Sequence, residues 1–137
     1  MANTYNIFIS HSWTYGDAYD KLVALLNARG NFPFRNLSVP RDDPIHNAQN
    51  EQALYNAIYN QIRPASVVLI MAGVYATHSK WIQKEIHIAK NEFTSPKPII
   101  AVRPWAQTNV SSVVSEAADE MVGWNTESIV AAIRRWA

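Results

Sequence analysis

Glu85 is the residue whose surroundings in the sequence most favour chemistry. If the segment 80–91 is helical, the residues at positions −4, −3, +3 and +4 share a face with Glu85, and all four are apolar: Trp81, Ile82, Ile88 and Ala89. A glutamate on a solvated helix face usually has a lysine or arginine at one of these spacings. In an apolar stripe, desolvation would raise the pKa of the carboxyl group and leave it available for reaction. The alternative is that the helix turns Glu85 toward solvent, or that Glu85 pairs with an arginine from a distant loop.

The loop that follows the first apolar run carries groups that could bind a nucleotide. Ser10, His11 and Ser12 offer hydroxyl and backbone N–H groups that could contact ribose or phosphate. Trp13 and Tyr15 could stack on a planar ring of such a ligand. Loop capping by the serines and ordinary packing by the aromatic rings are the alternatives.

Two arginines are candidates for binding a pyrophosphate. Arg41 lies in a loop bounded by prolines, and Arg103 follows the apolar run 99–102. Each could equally be a solvated surface cation. The histidines lack the spacing of metal ligands, so no metal site is predicted. Glycine-rich phosphate loops and the G-x-S-x-G elbow of α/β-hydrolases are also absent from the sequence.

Composition limits the classes of function that remain. The 137 residues carry 12 Lys and Arg against 11 Asp and Glu, a formal charge of +1, and 48% of them are hydrophobic. These values predict one globular domain over 1–137 and argue against nucleic-acid binding. The chain has no cysteine, which excludes disulfides and thiolate chemistry. No signal peptide or membrane-length apolar run is recognisable, so we expect a cytoplasmic protein without membrane contact.

Strand and helix patterns alternate along the chain. Apolar and β-branched runs predict strands at 5–10, 37–39, 66–71, 99–102 and 121–122. Helical spacing predicts helices at 17–29, 51–63, 80–91 and 126–136, while 109–118 is ambiguous and could form a short helix. The alternation predicts an α/β fold with a parallel sheet of four to five strands in the flavodoxin-like order 2-1-3-4-5 and helices on both faces. Ligands in such sheets bind beyond the carboxyl ends of the strands, where the candidate loops lie.

Three segments, in order, resemble the conserved boxes of Toll/interleukin-1 receptor (TIR) domains. Residues 79–85 resemble the S-x-W-x-x-x-E segment, residues 5–12 the first box, and residues 98–102 the box of the fourth strand. Together with the segments 103–105 and 122–125, they make the chain similar to the TIR-like family of the bacterial Thoeris anti-phage system. The resemblance covers essentially the whole chain.

This resemblance implies an enzyme that cleaves the nicotinamide–ribose bond of NAD, with Glu85 as the catalytic carboxylate. Trp81 and the loop 10–13 would shape the pocket, and NAD would be the substrate, so no cofactor is expected. The product would be an ADP-ribose-derived signal, cyclic or conjugated, that activates a separate effector protein. The family also leaves room for a phage-derived trigger and for a homo-oligomer.

Two other functions remain open at this point. The first is a TIR-type interaction module without catalysis, in which Trp105, Trp124 and Trp136 would anchor an interface. The second is a nucleoside deoxyribosyltransferase, which also sets a glutamate against the anomeric carbon of a sugar. A response-regulator receiver is excluded, because Met71 and Ala72 occupy the place of its acidic phosphoacceptor.

Overall fold

The computed structural model describes residues 4–10, 18–38, 51–72, 80–103 and 111–137. Strands and helices alternate through these ranges: β1 (Tyr5–Ile9), α1 (Ala18–Ala28), β2 (Phe34–Leu37), α2 (Glu51–Ile62), β3 (Val67–Met71), α3 (Lys80–Asn91), β4 (Ile99–Val102), α4 (Ser112–Ala117), β5 (Glu120–Val122) and α5 (Thr126–Trp136). None of the helices in this part of the chain is long and apolar enough to cross a membrane. That the whole of 1–137 forms one domain stays a prediction.

The five strands form one parallel sheet in the order β2-β1-β3-β4-β5. In its register, Ile7 of β1 lies opposite Val67 of β3, and Val68 of β3 lies opposite Ile99 of β4. Parallel neighbours require crossover connections, and helices supply them here. The sheet confirms the flavodoxin-like α/β fold predicted from the sequence.

The sheet separates two hydrophobic cores. Strand side chains alternate between the faces, so Ile7 and Ile9 join the core formed with α1 and α5, whereas Phe8 joins the core formed with α2, α3 and α4. Every residue of β3 is buried, as expected for a strand covered on both faces. The layer of α2 and α3 is the one that carries Glu85.

The second strand differs from its prediction. The sequence analysis placed it at 37–39, but β2 spans Phe34–Leu37. Its bounds follow from pairing with β1, where Tyr5 lies opposite Phe34 and Phe8 opposite Leu37. Arg35 and Asn36 are exposed on this edge strand, so its sequence lacks the apolar pattern by which a strand is recognised.

Short capping motifs set the ends of several helices. The ambiguous segment 109–118 contains the helix α4, and Ser111 caps it by accepting a hydrogen bond from the Val114 N–H at 3.3 Å. Gly30, with φ of +73°, ends α1 as predicted. Asn125 caps α5 through the Ser128 N–H at 3.0 Å. Ser79, the predicted cap of α3, lies outside the described residues.

Candidate functional site

The buried face of α3 carries Glu85 into the interior. Ile82, Ile88 and Ala89 of this helix are fully buried in the core that α3 shares with α2 and the sheet. Glu85 lies three residues from both isoleucines, on the same face of the helix. Its side chain is 0% exposed. The helical spacing therefore predicted its burial correctly, and the alternative of a solvent-facing glutamate is excluded.

Ser10 meets Glu85 from the carboxyl end of β1. Two positions after Phe8, it falls on the side of the sheet that faces α2 and α3. It is fully buried, and its backbone N–H donates to the Leu69 carbonyl oxygen at 3.1 Å. Its side chain interacts with the carboxyl group of Glu85. The end of β1 and the middle of α3 are thus joined at the edge where ligands bind in this type of sheet.

Trp81 supplies a hydrogen bond to Glu85 that the apolar pattern of α3 does not reveal. Its indole Nε1–H donates to Oε2 of Glu85 at 2.9 Å, one helical turn away. The ring itself is partly buried and packs against the core of α2 and α3. Counting Trp81 simply as an apolar neighbour was therefore wrong, because a tryptophan ring carries one hydrogen-bond donor.

Burial dominates the electrostatics of Glu85. Desolvation raises the pKa of its carboxyl group from 4.5 to about 8, and the interactions with Ser10 and Trp81 offset only part of that rise. Within the described part of the chain, no cationic side chain pairs with Glu85, and its Oε1 has no hydrogen-bond partner. A buried polar atom without a protein partner is rare in folded proteins, so Oε1 is a place where a ligand or water could bind.

The contacts of Arg103 lie away from the cluster of Ser10, Trp81 and Glu85. Its side chain is exposed, and its guanidinium Nη2 donates to the Met121 sulfur at 3.9 Å. Its backbone N–H donates to the Val122 carbonyl oxygen at 2.8 Å. Both contacts tie it to β5, and the strands β3 and β4 lie between β5 and β1. Its predicted role with pyrophosphate stays a prediction.

Several candidate residues lie outside the described residues: His11, Ser12, Trp13, Tyr15, Arg41 and Trp105. Of the other two tryptophans considered as interface anchors, Trp124 is partly buried against the core of α1 and α5. Trp136 is 37% exposed, and its indole N–H donates to Oε1 of Glu120 at 2.9 Å. Among the described residues, no three His, Asp or Glu side chains are grouped so that they could hold a metal ion.

Two cavities occur elsewhere in the described part of the chain. One, of about 400 Å³, lies around Phe32 and the start of β2. The other, of about 480 Å³, lies between β5 and α5, beside Glu120 and Arg135. Neither is lined by Ser10, Trp81 or Glu85.

Comparison with known proteins identifies the family. A search of curated proteins gives no match. A family model described as the TIR-like domain of Thoeris protein ThsB matches residues 8–109. This range is more than half of the 137 residues and includes Ser10, Trp81 and Glu85. The chain therefore belongs to the family of the Thoeris ThsB TIR-like domain, a TIR-type domain associated with anti-phage defence.

Proposed function

We propose that this protein consumes NAD, cleaving the bond between nicotinamide and ribose with Glu85 as the catalytic carboxylate. The observation that carries the proposal is a fully buried carboxyl group, one oxygen of which has no partner among the described residues, next to the carboxyl end of β1. Membership of the TIR-like family supports the same conclusion. No cofactor is needed, because NAD is the substrate.

The reaction requires a negative charge beside the ribose and a nucleophile, either water or an atom of adenine, that forms the new bond to the anomeric carbon. As the C–N bond breaks, its electron pair leaves with nicotinamide, which becomes neutral, and positive charge develops on the ribose ring. A carboxylate in a site of low polarity stabilises that charge strongly. Nicotinamide leaves from a cationic state, so no strong general acid is required.

The other residues have supporting roles in this proposal. Ser10 and Trp81 hold the carboxyl group of Glu85, and His11, Ser12 and Trp13 form the adjacent wall against the ribose and a planar ring. Arg41 and Arg103 bind the pyrophosphate, Arg103 after its side chain leaves Met121. The product is an ADP-ribose-derived signal, cyclic or conjugated, that activates an effector protein. The proposal also includes a phage component as the trigger of the enzyme. A homo-oligomer would complete the site.

The test measures nicotinamide released from NAD by purified protein, with and without lysate from phage-infected cells. The change Glu85→Gln keeps the shape of the side chain and removes its negative charge, so we expect turnover to fall by about 100-fold or more. Glu92→Gln is the matched control, because Glu92 lies just beyond the same helix and is exposed. Equal turnover by the wild type and Glu85→Gln would disprove the catalytic assignment.

The second candidate function is a non-catalytic interaction module. The observation that favours it is the 37% exposure of Trp136, a large hydrophobic side chain at the surface. It predicts no nicotinamide release under any trigger, together with an oligomer or complex that Trp136→Ser weakens. The deoxyribosyltransferase alternative instead predicts exchange of bases on deoxynucleosides, which the same purified protein can be assayed for.

A further inference from the structure

The two carboxyl oxygens of Glu85 have different surroundings. Oε2 accepts the hydrogen bond from the Trp81 indole at 2.9 Å. Oε1 is buried and has no hydrogen-bond partner among the described residues. Trp81 therefore binds Oε2, the Ser10 side chain also interacts with the carboxyl group, and Oε1 is the oxygen left for a proton or a ligand.

The hydrogen bond to Oε2 determines where a proton on Glu85 would sit. A neutral carboxylic acid has one carbonyl oxygen, which accepts, and one hydroxyl, which donates. Because the Trp81 N–H requires an acceptor, Oε2 takes the carbonyl role and Oε1 carries the hydroxyl. Trp81 thereby distinguishes two oxygens that are chemically equivalent in a free glutamate.

Within the described ranges, no charged side chain favours the ionised form of Glu85. The strands β1, β3 and β4 contain no charged side chain, and Tyr5, their one titratable residue, lies at the opposite end of β1. On α3 itself, Lys84 and His87 are near in sequence, but neither contributes to the pKa of Glu85. The sequence of α2 contains no basic residue.

We propose that Trp81 is a positioning residue that fixes Oε2 of Glu85 and leaves the proton on Oε1, and that a ligand with a positively charged ring displaces this proton. The O–H bond of Oε1 breaks, its electron pair stays on the carboxylate, and the proton passes to solvent. The cationic ring then faces the new negative charge. This inference rests on the proposed function, since the nicotinamide ring of NAD is such a cation.

Proton release can be measured with a NAD analogue that cannot be cleaved. In carba-NAD a methylene group replaces the ribose ring oxygen, so binding can be followed by calorimetry without turnover. At pH 7, in buffers of different ionisation enthalpy, we expect close to one proton released per molecule bound. NADH, whose reduced ring is neutral, and the Glu85→Gln variant should release none. Binding of carba-NAD to the wild type without proton release would overturn the proposal.

The role of Trp81 is tested by Trp81→Phe, which keeps an aromatic ring and removes the N–H. We expect the titration of Glu85, followed by carbon-13 NMR of its carboxyl carbon, to move upward by about one pH unit, because the carboxylate loses a hydrogen bond. Trp136→Phe is the matched control: it breaks the same type of bond, 2.9 Å to Glu120, and should leave the Glu85 titration unchanged. An unchanged titration in Trp81→Phe contradicts the positioning role.

These outcomes separate the inference from the proposed function. The NMR titration uses no NAD, so a shifted titration without any nicotinamide release would overturn the enzyme and keep the positioning role. Turnover that depends on Glu85, together with an unchanged Glu85 titration in Trp81→Phe, would keep the enzyme and overturn the positioning role. If Trp81→Phe does not fold, benzothienylalanine at the same position, which has the shape of tryptophan without its N–H, gives the same comparison.

Discussion

The burial of Glu85 makes the free energy of unfolding depend on pH. Its pKa is raised from 4.5 to about 8 in the folded protein. Between these values the folded protein binds more protons at this group than the unfolded chain does. The free energy of unfolding therefore falls as the pH rises from about 4.5 to about 8, and the contribution of this group is largest below that range.

Replacing the carboxyl group of Glu85 with an amide should remove this fall in the free energy of unfolding. We expect Glu85→Gln to be more stable than the wild type at pH 8, with a difference that grows from pH 5 to pH 8 by an amount on the order of 3 kcal/mol. Urea unfolding of both proteins across this pH range measures it. Glu116→Gln on α4, an exposed position, serves as the control and should not change the pH dependence. A constant difference between wild type and Glu85→Gln would contradict the prediction.

The same carboxyl group should control the pH dependence of catalysis. In the proposed reaction the ionised form of Glu85 is the active one, so we expect kcat/KM for NAD cleavage to rise with pH through an apparent pKa of about 8. The apparent pKa in the profile of kcat should be lower than that in kcat/KM, because the cationic nicotinamide ring of bound NAD favours the carboxylate form of Glu85. Initial rates of nicotinamide release between pH 6 and pH 9.5 test both statements. Rates that fall over this range would mean that the protonated acid is the active form.

At the scale of elements, Asp119 joins the end of α3 to the start of β4. Its Oδ2 accepts hydrogen bonds from the Ile99 N–H at 2.8 Å and from the Lys90 ammonium at 2.9 Å. Partial burial alone would raise the pKa of Asp119, but these bonds outweigh it and lower the pKa below 3.8. The contact is about one turn beyond Glu85 and helps to hold the helix that positions it.

Loss of this contact should loosen the helix. We expect Asp119→Ala to lower the free energy of unfolding by about 1 to 2 kcal/mol at pH 7, because the buried Ile99 N–H loses its acceptor. The wild-type advantage is present above pH 3.8 and is lost as the pH falls through the lower pKa of the folded protein. Thermal unfolding at pH 7 and pH 3 provides the comparison. Glu127→Ala, which breaks an ion pair with Arg29 at a 70% exposed side chain, should have almost no effect.

At the scale of the molecule, strand order brings together groups that are far apart in the sequence. Ser10 ends β1, and Glu85 lies on the helix between β3 and β4. They meet because β1 is paired with β3 and because Ser10 lies on the face covered by α3. The site thus depends on the whole central sheet.

A double-mutant cycle should detect this coupling. We expect the stability effects of Ser10→Ala and Glu85→Gln to deviate from additivity by more than about 0.5 kcal/mol, as is typical of residues in contact. Chemical denaturation of the wild type, both single variants and the double variant gives this value. The pair Ser115→Ala and Glu85→Gln, with Ser115 on the separate helix α4, should be additive. Additivity of Ser10 with Glu85 would mean that the contact contributes nothing to stability.

The alternation of strands and helices, the sheet order and the burial of Glu85 could all be predicted from the sequence. The alternation and the burial of Glu85 depend on a local repeat, since every second residue of a strand, and every third or fourth residue of a helix, shares a face. The sheet order follows from the alternation itself, because parallel strands need crossover connections of one hand. The bounds of β2 could not be predicted in this way, because pairing with β1 decides where an edge strand with exposed Arg35 and Asn36 begins and ends.

The sequence by itself determined that the helix neighbours of Glu85 on its own face are apolar, and it left open whether an arginine from a distant loop pairs with the carboxyl group. Tertiary structure alone decided that Ser10 and the Trp81 N–H meet that group, that Oε1 has no partner among the described residues, and that Arg103 turns toward Met121. The physical reason is that periodicity fixes which face a side chain occupies. The partner on that face depends on strand register, rotamers and helix placement, which the assembled sheet imposes.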